Sequence, residues 1–330
     1  MYSIEVCAGA GGQALGLEQA GFEHLDLVEI DKWPCETLRT NRPKWRVSEC
    51  DLKDFPAHKY KGIDLYAGGL PCPPFSVAGK QLGDKDERNL FPIAIEQIAQ
   101  CRPKAVMIEN VRGLLDPAFS GYREWIEVAL KKQGFRFVEW KLLNARDFGV
   151  PQQRPRLILV ALKKEFAGRF AWPDEVQAPR SVGATLFDLM KARRWPGAKE
   201  WCARANGIAP TIVGGSKKHG GPDLGPTRAR QAWAQLGVDG LTIAEDAPGP
   251  DFPVNGMPKL TVRMVARIQG FPDDWVFSGK KTNAYRQVGN AFPPPVACAV
   301  AKSICSAIKG NPQILRETER SNASLRRAAA

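Results

Sequence analysis

The run Gly68-Gly69-Leu70-Pro71-Cys72-Pro73-Pro74-Phe75-Ser76 sets one cysteine among three prolines, directly after the apolar stretch at residues 63–67. A thiol at the end of a strand, on a loop stiffened by proline, has its sulfur held in one place and suits nucleophilic chemistry. The alternative for such a thiol is a small packed side chain, so Cys72 has to be read with what else the chain offers. Two other groups carry chemistry. Glu109-Asn110 closes a second apolar stretch, and Gln152-Gln153-Arg154-Pro155-Arg156 brings two guanidinium groups within three positions.

These residues need a scaffold, and the first half of the chain supplies one by pattern. Short apolar runs at residues 2–7, 24–29, 46–49, 63–67 and 104–108 read as strands. Between them, Leu90, Ile93, Ala94, Ile98 and Cys101 recur at helical spacing, as do Tyr122, Trp125, Ile126, Ala129 and Leu130. Alternation of this kind predicts an α/β fold with a doubly wound sheet. Ligands of such sheets sit beyond the carboxyl ends of the strands. The groups following successive strands are the turn Gly9-Ala10-Gly11-Gly12, then Glu29 and Asp31, then Asp51, Cys72 and Glu109. Glycines at the first turn let backbone approach a ligand, and an acid after the second strand suits the hydroxyls of a ribose. The glycine turn alone is equally compatible with a nicotinamide dehydrogenase, which would explain neither Cys72 nor the paired arginines.

Cys72 and Glu109 together are more specific, and here the chain resembles the C5-cytosine-specific DNA methyltransferases along most of its length. Cys7-Ala8-Gly9-Ala10-Gly11-Gly12 is similar to that family's S-adenosylmethionine loop. Pro71-Cys72 resembles its nucleophile motif, Glu109-Asn110-Val111 its Glu-Asn-Val motif, and Gln152 to Arg156 its Gln-x-Arg-x-Arg motif. Residues 263–272 resemble the segment supporting the recognition domain, and Gln287-Val288-Gly289-Asn290 with Pro293-Pro294 the last motif. The order of all these matches is that of the family.

The resemblance implies a Rossmann-like methyltransferase sheet with a smaller inserted target-recognition domain. Residues 1–172 and 282–310 would form the catalytic domain, residues 173–281 the recognition domain, and residues 311–330 a disordered tail. Cys72 would add to C6 of a cytosine flipped out of the duplex, making C5 able to take the methyl group. Glu109 would meet N3 and the exocyclic amine, Arg156 the base carbonyl, and Arg154 would tie the loop together in the same catalytic group. Cofactor contacts would come from Cys7, Gly9, Gly11, Gly12, Glu29, Ile30, Asp51, Leu90 and Asn290, the last also buttressing the cysteine loop, with Gln287 anchoring the returning segment. Residues 76–89 read as a loop closing over DNA, with Ser76, Lys80 and Gln81 in contact. In the recognition stretch, the loops at 214–221 and 227–230 offer Lys217, Lys218, Arg228 and Arg230 to DNA, and His219 is the weaker candidate. Three positions depart from the family pattern: Cys7 for a phenylalanine, Ile30 for a tryptophan, and Met264 for a glutamate.

Charge agrees with a polyanionic partner. Residues 1–150 hold 20 basic and 21 acidic side chains, whereas residues 151–330 hold 27 and 14, so the excess of +12 lies entirely in the second half. Eight cysteines with no C-x-x-C pair argue against a zinc site and a disulfide framework. With no apolar run of spanning length and no leader before the first strand, the expectation is a cytoplasmic, nucleoid-associated monomer. It would act on double-stranded DNA with S-adenosylmethionine and no metal, with a cognate restriction endonuclease as counterpart rather than as a stable partner. The rivals are an enzyme of the same chemistry acting on tRNA and a non-catalytic binding relative.

Overall fold

The computed structural model describes residues 1–71, 89–175, 178–214 and 221–310. Seven strands, β1 (Tyr2–Val6), β2 (Glu23–Glu29), β3 (Val47–Glu49), β4 (Leu65–Gly68), β5 (Ala105–Val111), β6 (Phe135–Asn144) and β7 (Pro155–Lys163), form one sheet in the order β3-β2-β1-β4-β5-β7-β6. The first five run parallel, and β7 is antiparallel to both β5 and β6. The strand order reverses between β1 and β4, which is where sheets of this type open a crevice.

Eleven helices accompany the sheet among the described residues: α1 (Gly12–Gln19), α2 (Lys32–Asn41), α3 (Phe91–Cys101), α4 (Ser120–Lys132), α5 (Lys164–Ala167), α6 (Val182–Lys191), α7 (Ala198–Arg204), α8 (Thr227–Gln235), α9 (Val262–Ile268), α10 (Lys281–Asn290) and α11 (Pro294–Lys309). Strand side chains alternate between two cores, as the twofold repeat of a strand requires. Ile4, Val6, Tyr66, Val106 and Ile108 face α3 and α4 through Phe91, Ala94, Ile98, Ile126 and Leu130. Leu65, Ala67, Met107, Ile158 and Val160 face the other way, onto Leu17 of α1 and Val296, Val300 and Ile304 of α11.

All five strands read from pattern are present, but β5 continues three residues past Ile108. The cause is β7, which pairs Glu109 with Ile158 and Val111 with Arg156 and so keeps the strand extended. The resemblance left β6 and β7 unassigned, and their antiparallel insertion comes from long-range pairing. Between α5 and α10 the chain forms helices α6 to α9 and, among the described residues, only single bridges in place of strands. These helices enclose a third core of Val182, Leu186, Trp201, Trp233, Leu260 and Val265, which reaches Leu15 of α1 and Val288 of α10. Met264 is buried here and completes a capping box: the Thr261 hydroxyl accepts from its N–H at 3.3 Å, and its sulfur accepts from the Thr261 N–H at 3.4 Å. The thioether thus takes the place a glutamate usually holds in that motif.

The stretch Lys281–Lys309 is as long and apolar as a membrane span by length and composition alone. It is two helices, interrupted between Asn290 and Pro294, and its apolar face is core: Val296, Ala297, Val300, Ala301 and Ile304 are all at most 1% exposed. The prolines at 293–295 end one helix and start the other.

The α1–α11 contact is as close as backbone allows. A Cβ on Gly16 would lie 2.5 Å from the Ala297 Cβ and 2.6 Å from the Pro294 carbonyl oxygen. Gly121, near the start of α4, would meet nothing within 4 Å. Gly16→Ala is therefore expected to lower stability by about 1–3 kcal/mol through overpacking, and Gly121→Ala to raise it by about 0.5–1 kcal/mol through lost chain entropy. Urea unfolding of the two variants against the parent measures both.

Candidate active site

The carboxyl ends of β1, β2, β4 and β5 open on a cavity of about 980 Å³. Its floor is the glycine turn. Gly9 and Gly11 have φ of 54° and 86°, the left-handed region that glycine enters without strain, and Cys7 shares it at 52°. A Cβ on Gly12 would fall 2.2 Å from the Phe292 carbonyl oxygen, so the turn and the segment after α10 meet backbone to backbone. The turn is also fastened from two sides. The Gly9 N–H donates to Glu29 Oε2 at 2.8 Å, and Trp275 Nε1 donates to the Ala10 carbonyl at 3.2 Å. Glu29 Oε1 meanwhile accepts from the N–H groups of Ile30 and Asp31. Asp51 caps the short turn after β3, one oxygen accepting from the Lys53 N–H at 2.9 Å.

Beneath the turn lie polar atoms without partners. Glu5 and Gln13 are 1% and 3% exposed and line the cavity, yet Glu5 Oε2 and both polar atoms of the Gln13 amide make no hydrogen bond. Burial, reinforced by Glu29, holds the Glu5 carboxyl well above the usual carboxylate range. Orphaned polar groups in a cleft are what a polar ligand would satisfy. Neither residue was singled out from sequence; both read there as ordinary strand and helix positions. The neighbouring thiols of Cys7 and Cys50 are both pushed up by burial and surrounding carboxylates, which keeps them protonated and unreactive.

At the far end of the cavity, Glu109 Oε1 and Arg156 Nε form an ion pair at 2.9 Å. The β5–β7 register explains it. Glu109 faces Ile158, and Arg156 lies two residues back on the same face of the sheet, so the two side chains are diagonal neighbours. Burial pushes the Glu109 carboxyl up, and Arg156 opposes that only in part. A Cβ on Gly69 would lie 3.5 Å from Glu109 Oε2, so that glycine leaves the second carboxylate oxygen open. Asn110 Nδ2 donates to the Leu70 carbonyl at 3.0 Å and its Oδ1 accepts from the Val111 N–H. The approach to Cys72 is thereby fixed from β5. Asn290 sits at the cavity wall close to Gly214, and the cysteine loop it was expected to buttress lies outside the described residues.

Arg154 has a different place from Arg156. It is fully buried and absent from the cavity wall, and its guanidinium donates to the carbonyls of Ile212, Gly289 and Ala291, the last two at 2.8 and 3.0 Å. Its donors join these backbone segments and also reach Gln152 Oε1 at 3.5 Å. Leu90, Ile30, Cys7, Gly9, Gly12, Glu29, Asp51 and Asn290 line the cavity, whereas Gly11 does not and packs against Leu38 and Trp275. Residues 227–230, expected as a loop, open helix α8; Arg228 and Arg230 lie outside the cavity. Cys72, Ser76, Lys80, Gln81, Lys217, Lys218 and His219 lie outside the described residues. Among the described residues no cluster of three His, Cys, Asp or Glu is placed to hold a metal ion.

A parallel sheet with a glycine turn at β1, an acid ending β2, and a buried carboxyl–guanidinium pair at the switch-point cavity defines a Rossmann-like methyltransferase. The model of the C-5 cytosine-specific DNA methylases matches residues 1–306, and the chain belongs to that family. It is 55% identical over 309 residues to the Type II methyltransferase M.NaeI of Lentzea aerocolonigenes, covering 92% of this chain and 75% of the relative. It is 53% identical over 312 residues to the Type II methyltransferase M.NgoMIV of Neisseria gonorrhoeae, covering 93% and 98%. Among solved structures, the DNMT2 of Spodoptera frugiperda superposes with a TM-score of 0.67 at 19% identity, over 92% of this chain and 99% of that one, a likeness of fold.

Two outcomes follow for the ion pair. Arg156→Met removes the cation that lowers Glu109, so the carboxyl should titrate at higher pH in the variant, as read by carbon-13 NMR of the Glu109 carboxyl. Burial raises the folded pKa of Glu109 above its unfolded value, so ionisation opposes folding. Its contribution to stability is fullest below the unfolded pKa and falls as pH rises through the folded one. In Arg156→Met that fall should extend to higher pH, seen by urea unfolding from pH 4 upward.

Proposed function

We propose that the cavity holds S-adenosylmethionine at the β1–β3 end and a flipped cytosine at the β5–β7 end, and that Cys72 is the nucleophile of the DNA cytosine-5 methylation this family carries out. The observation that carries the reading is the half-neutralised Glu109, held beside Arg156 at the end of a cavity whose rim leads through Leu70 and Pro71 into Cys72.

The donor set fits the cofactor. Glu29 Oε2, with one lone pair taken by Gly9, retains acceptor capacity for a ribose hydroxyl, and Asp51 keeps an oxygen for an exocyclic amine. Glu5 and Gln13 offer the unsatisfied atoms that an amino-acid end requires. The open space above Gly9, where a Cβ would meet nothing within 4 Å, leaves room for close approach. When bound, the cofactor supplies an electrophilic methyl group.

The chain's own part is to make C5 nucleophilic. The Cys72 thiolate forms a bond to C6 of the base, and the displaced electron pair moves toward N3, where the Glu109 carboxyl hydrogen-bonds or delivers its proton. A carboxyl raised by burial retains that proton closer to neutrality than an exposed one. Arg156, with Nε committed to Glu109 and one Nη to the Pro155 carbonyl, keeps its other Nη for the base carbonyl. Once the methyl group is on C5, loss of the C5 proton re-forms the C5–C6 double bond and expels the thiolate, N3 gives back any proton taken from Glu109, and 5-methylcytosine is left. Unstacking the base costs a few kcal/mol, which pocket and backbone contacts offset.

In this reading residues 1–172 and 282–310 form the catalytic unit, and residues 173–281, with their own core around Trp201 and Trp233, the recognition unit. The basic second half meets duplex DNA, and the enzyme works as a cytoplasmic monomer paired with a restriction endonuclease, as befits the likeness to Type II methyltransferases. Base-by-base mapping of 5-methylcytosine on mixed-sequence duplex after incubation with S-adenosylmethionine should show methylation at one short motif. Methylation of tRNA alone would overturn the duplex substrate. Cys72→Ser should abolish transfer while leaving cofactor affinity within about twofold; residual turnover above one per cent of the parent's would sink the covalent step.

A further inference from the structure

The side chains lining the cavity include five acids, Glu5, Glu29, Asp31, Asp51 and Glu109, against two cations, Arg156 and Arg286. Arg156 is paired with Glu109. Arg286 is half-buried, and among the described residues its guanidinium makes no hydrogen bond or ion pair. Its backbone, by contrast, is held on every side. Tyr285 donates its hydroxyl to the Asp223 carbonyl at 2.6 Å. Gln287 accepts from Thr37 at 2.6 Å and donates to the Ser278 carbonyl at 2.8 Å. Gly214 lies so close that a Cβ there would meet the Arg286 carbonyl oxygen at 2.5 Å.

A fixed stem bearing an unpaired, half-dehydrated guanidinium is an unusual expense unless a counter-ion arrives, because a partly buried charge loses hydration without compensation. None of these acids forms an ion pair with Arg286; Glu109 is taken by Arg156, and Glu29 and Asp51 each accept from backbone N–H groups. The planar fork of arginine matches two oxygens of one anion. Helix α10 carries Asn283 and Asn290 on the same cavity face, one turn to either side, as further donors.

We propose that Arg286 is the oxyanion anchor of this cavity. Resting on the functional reading above, two sources share that chemistry: the carboxylate of the cofactor, and a phosphate of the strand whose cytosine is flipped. Both are acyclic oxyanions that a guanidinium binds through two parallel hydrogen bonds.

The test uses the full chain as Arg286→Gln and Arg286→Lys beside the parent, with folding followed by thermal unfolding. One arm titrates S-adenosylhomocysteine calorimetrically without DNA. The other measures binding of a duplex carrying the cytosine that the parent methylates, across a range of salt. In Arg286→Gln one ligand should weaken by about tenfold or more, with only partial recovery in Arg286→Lys because an ammonium cannot form the fork. Loss confined to S-adenosylhomocysteine assigns the carboxylate. Loss confined to the duplex, with the slope of log K against log salt reduced by about 0.9, assigns the phosphate. Both affinities within twofold of the parent in folded variants would overturn the proposal. If the parent itself binds neither probe, the functional reading fails first and this one with it. Should Arg286→Gln not fold, Arg286→Lys carries the same comparison.

Discussion

The guanidinium of Arg154 is the interaction on which the rest of this structure depends. Wholly buried at the start of β7, it spreads its donors over the carbonyls of Ile212, Gly289 and Ala291 and touches Gln152 as well. Three parts of the chain far apart in sequence end on this one group: the sheet, the segment leading into residues 215–220, and the turn between α10 and α11. A cation buried at such depth is tolerated only because its carbonyl partners converge and Glu109 lends opposite charge nearby. Gln152 and Gln269 extend the joint, with Gln152 accepting from the Ile212 N–H and Gln269 donating to the Ala291 carbonyl. The cavity therefore has a wall of backbone held by side-chain amides and one guanidinium, not by apolar packing alone.

That joint explains how a site assembled from distant residues keeps its shape. Glu109 and Arg156 are set by strand register, Glu29 and the glycine turn by mutual hydrogen bonds, and Asn290 and Arg286 by the Arg154 tie and the contact of Gly289 with Gly214. A Cβ on Gly289 would sit 2.3 Å from the Gly214 nitrogen. Each described side of the cavity is held for a separate physical reason, and the head of Arg286, with Glu5 Oε2 and the Gln13 amide, is left without a partner among the described residues.

Much of this was legible in the sequence. The five parallel strands announced themselves as short apolar runs, and α3 and α4 through helical periodicity, because burial on one face leaves its mark on composition. The motif order identified the family and placed Glu109, Glu29 and Asp51 in one crevice. What stayed hidden depends on pairing between distant segments. The antiparallel β7 cannot be read from its own residues, so the diagonal approach of Arg156 to Glu109 was invisible, as were the carbonyls that Arg154 binds. Glu5 and Gln13 escaped notice because an unsatisfied buried atom is a property of surroundings, not of residue type. Helix α2, with Pro34 in its first turn and charges through its length, carries too weak an apolar stripe to stand out.

The close seating of α1 on α11 has a consequence for how the chain is made. Leu17 and Gly16 of α1, and the face of β4 and β5 beneath, are covered by a helix that begins at Pro294. Chains grow at about 5–20 residues per second, so some 15–60 seconds separate synthesis of the first helix from that of its cover. During that interval the glycine turn lacks the Phe292 carbonyl against which Gly12 closes. A nascent chain therefore cannot close this cavity until the segment around Phe292 has emerged, which makes the site one of the later parts of the fold to form.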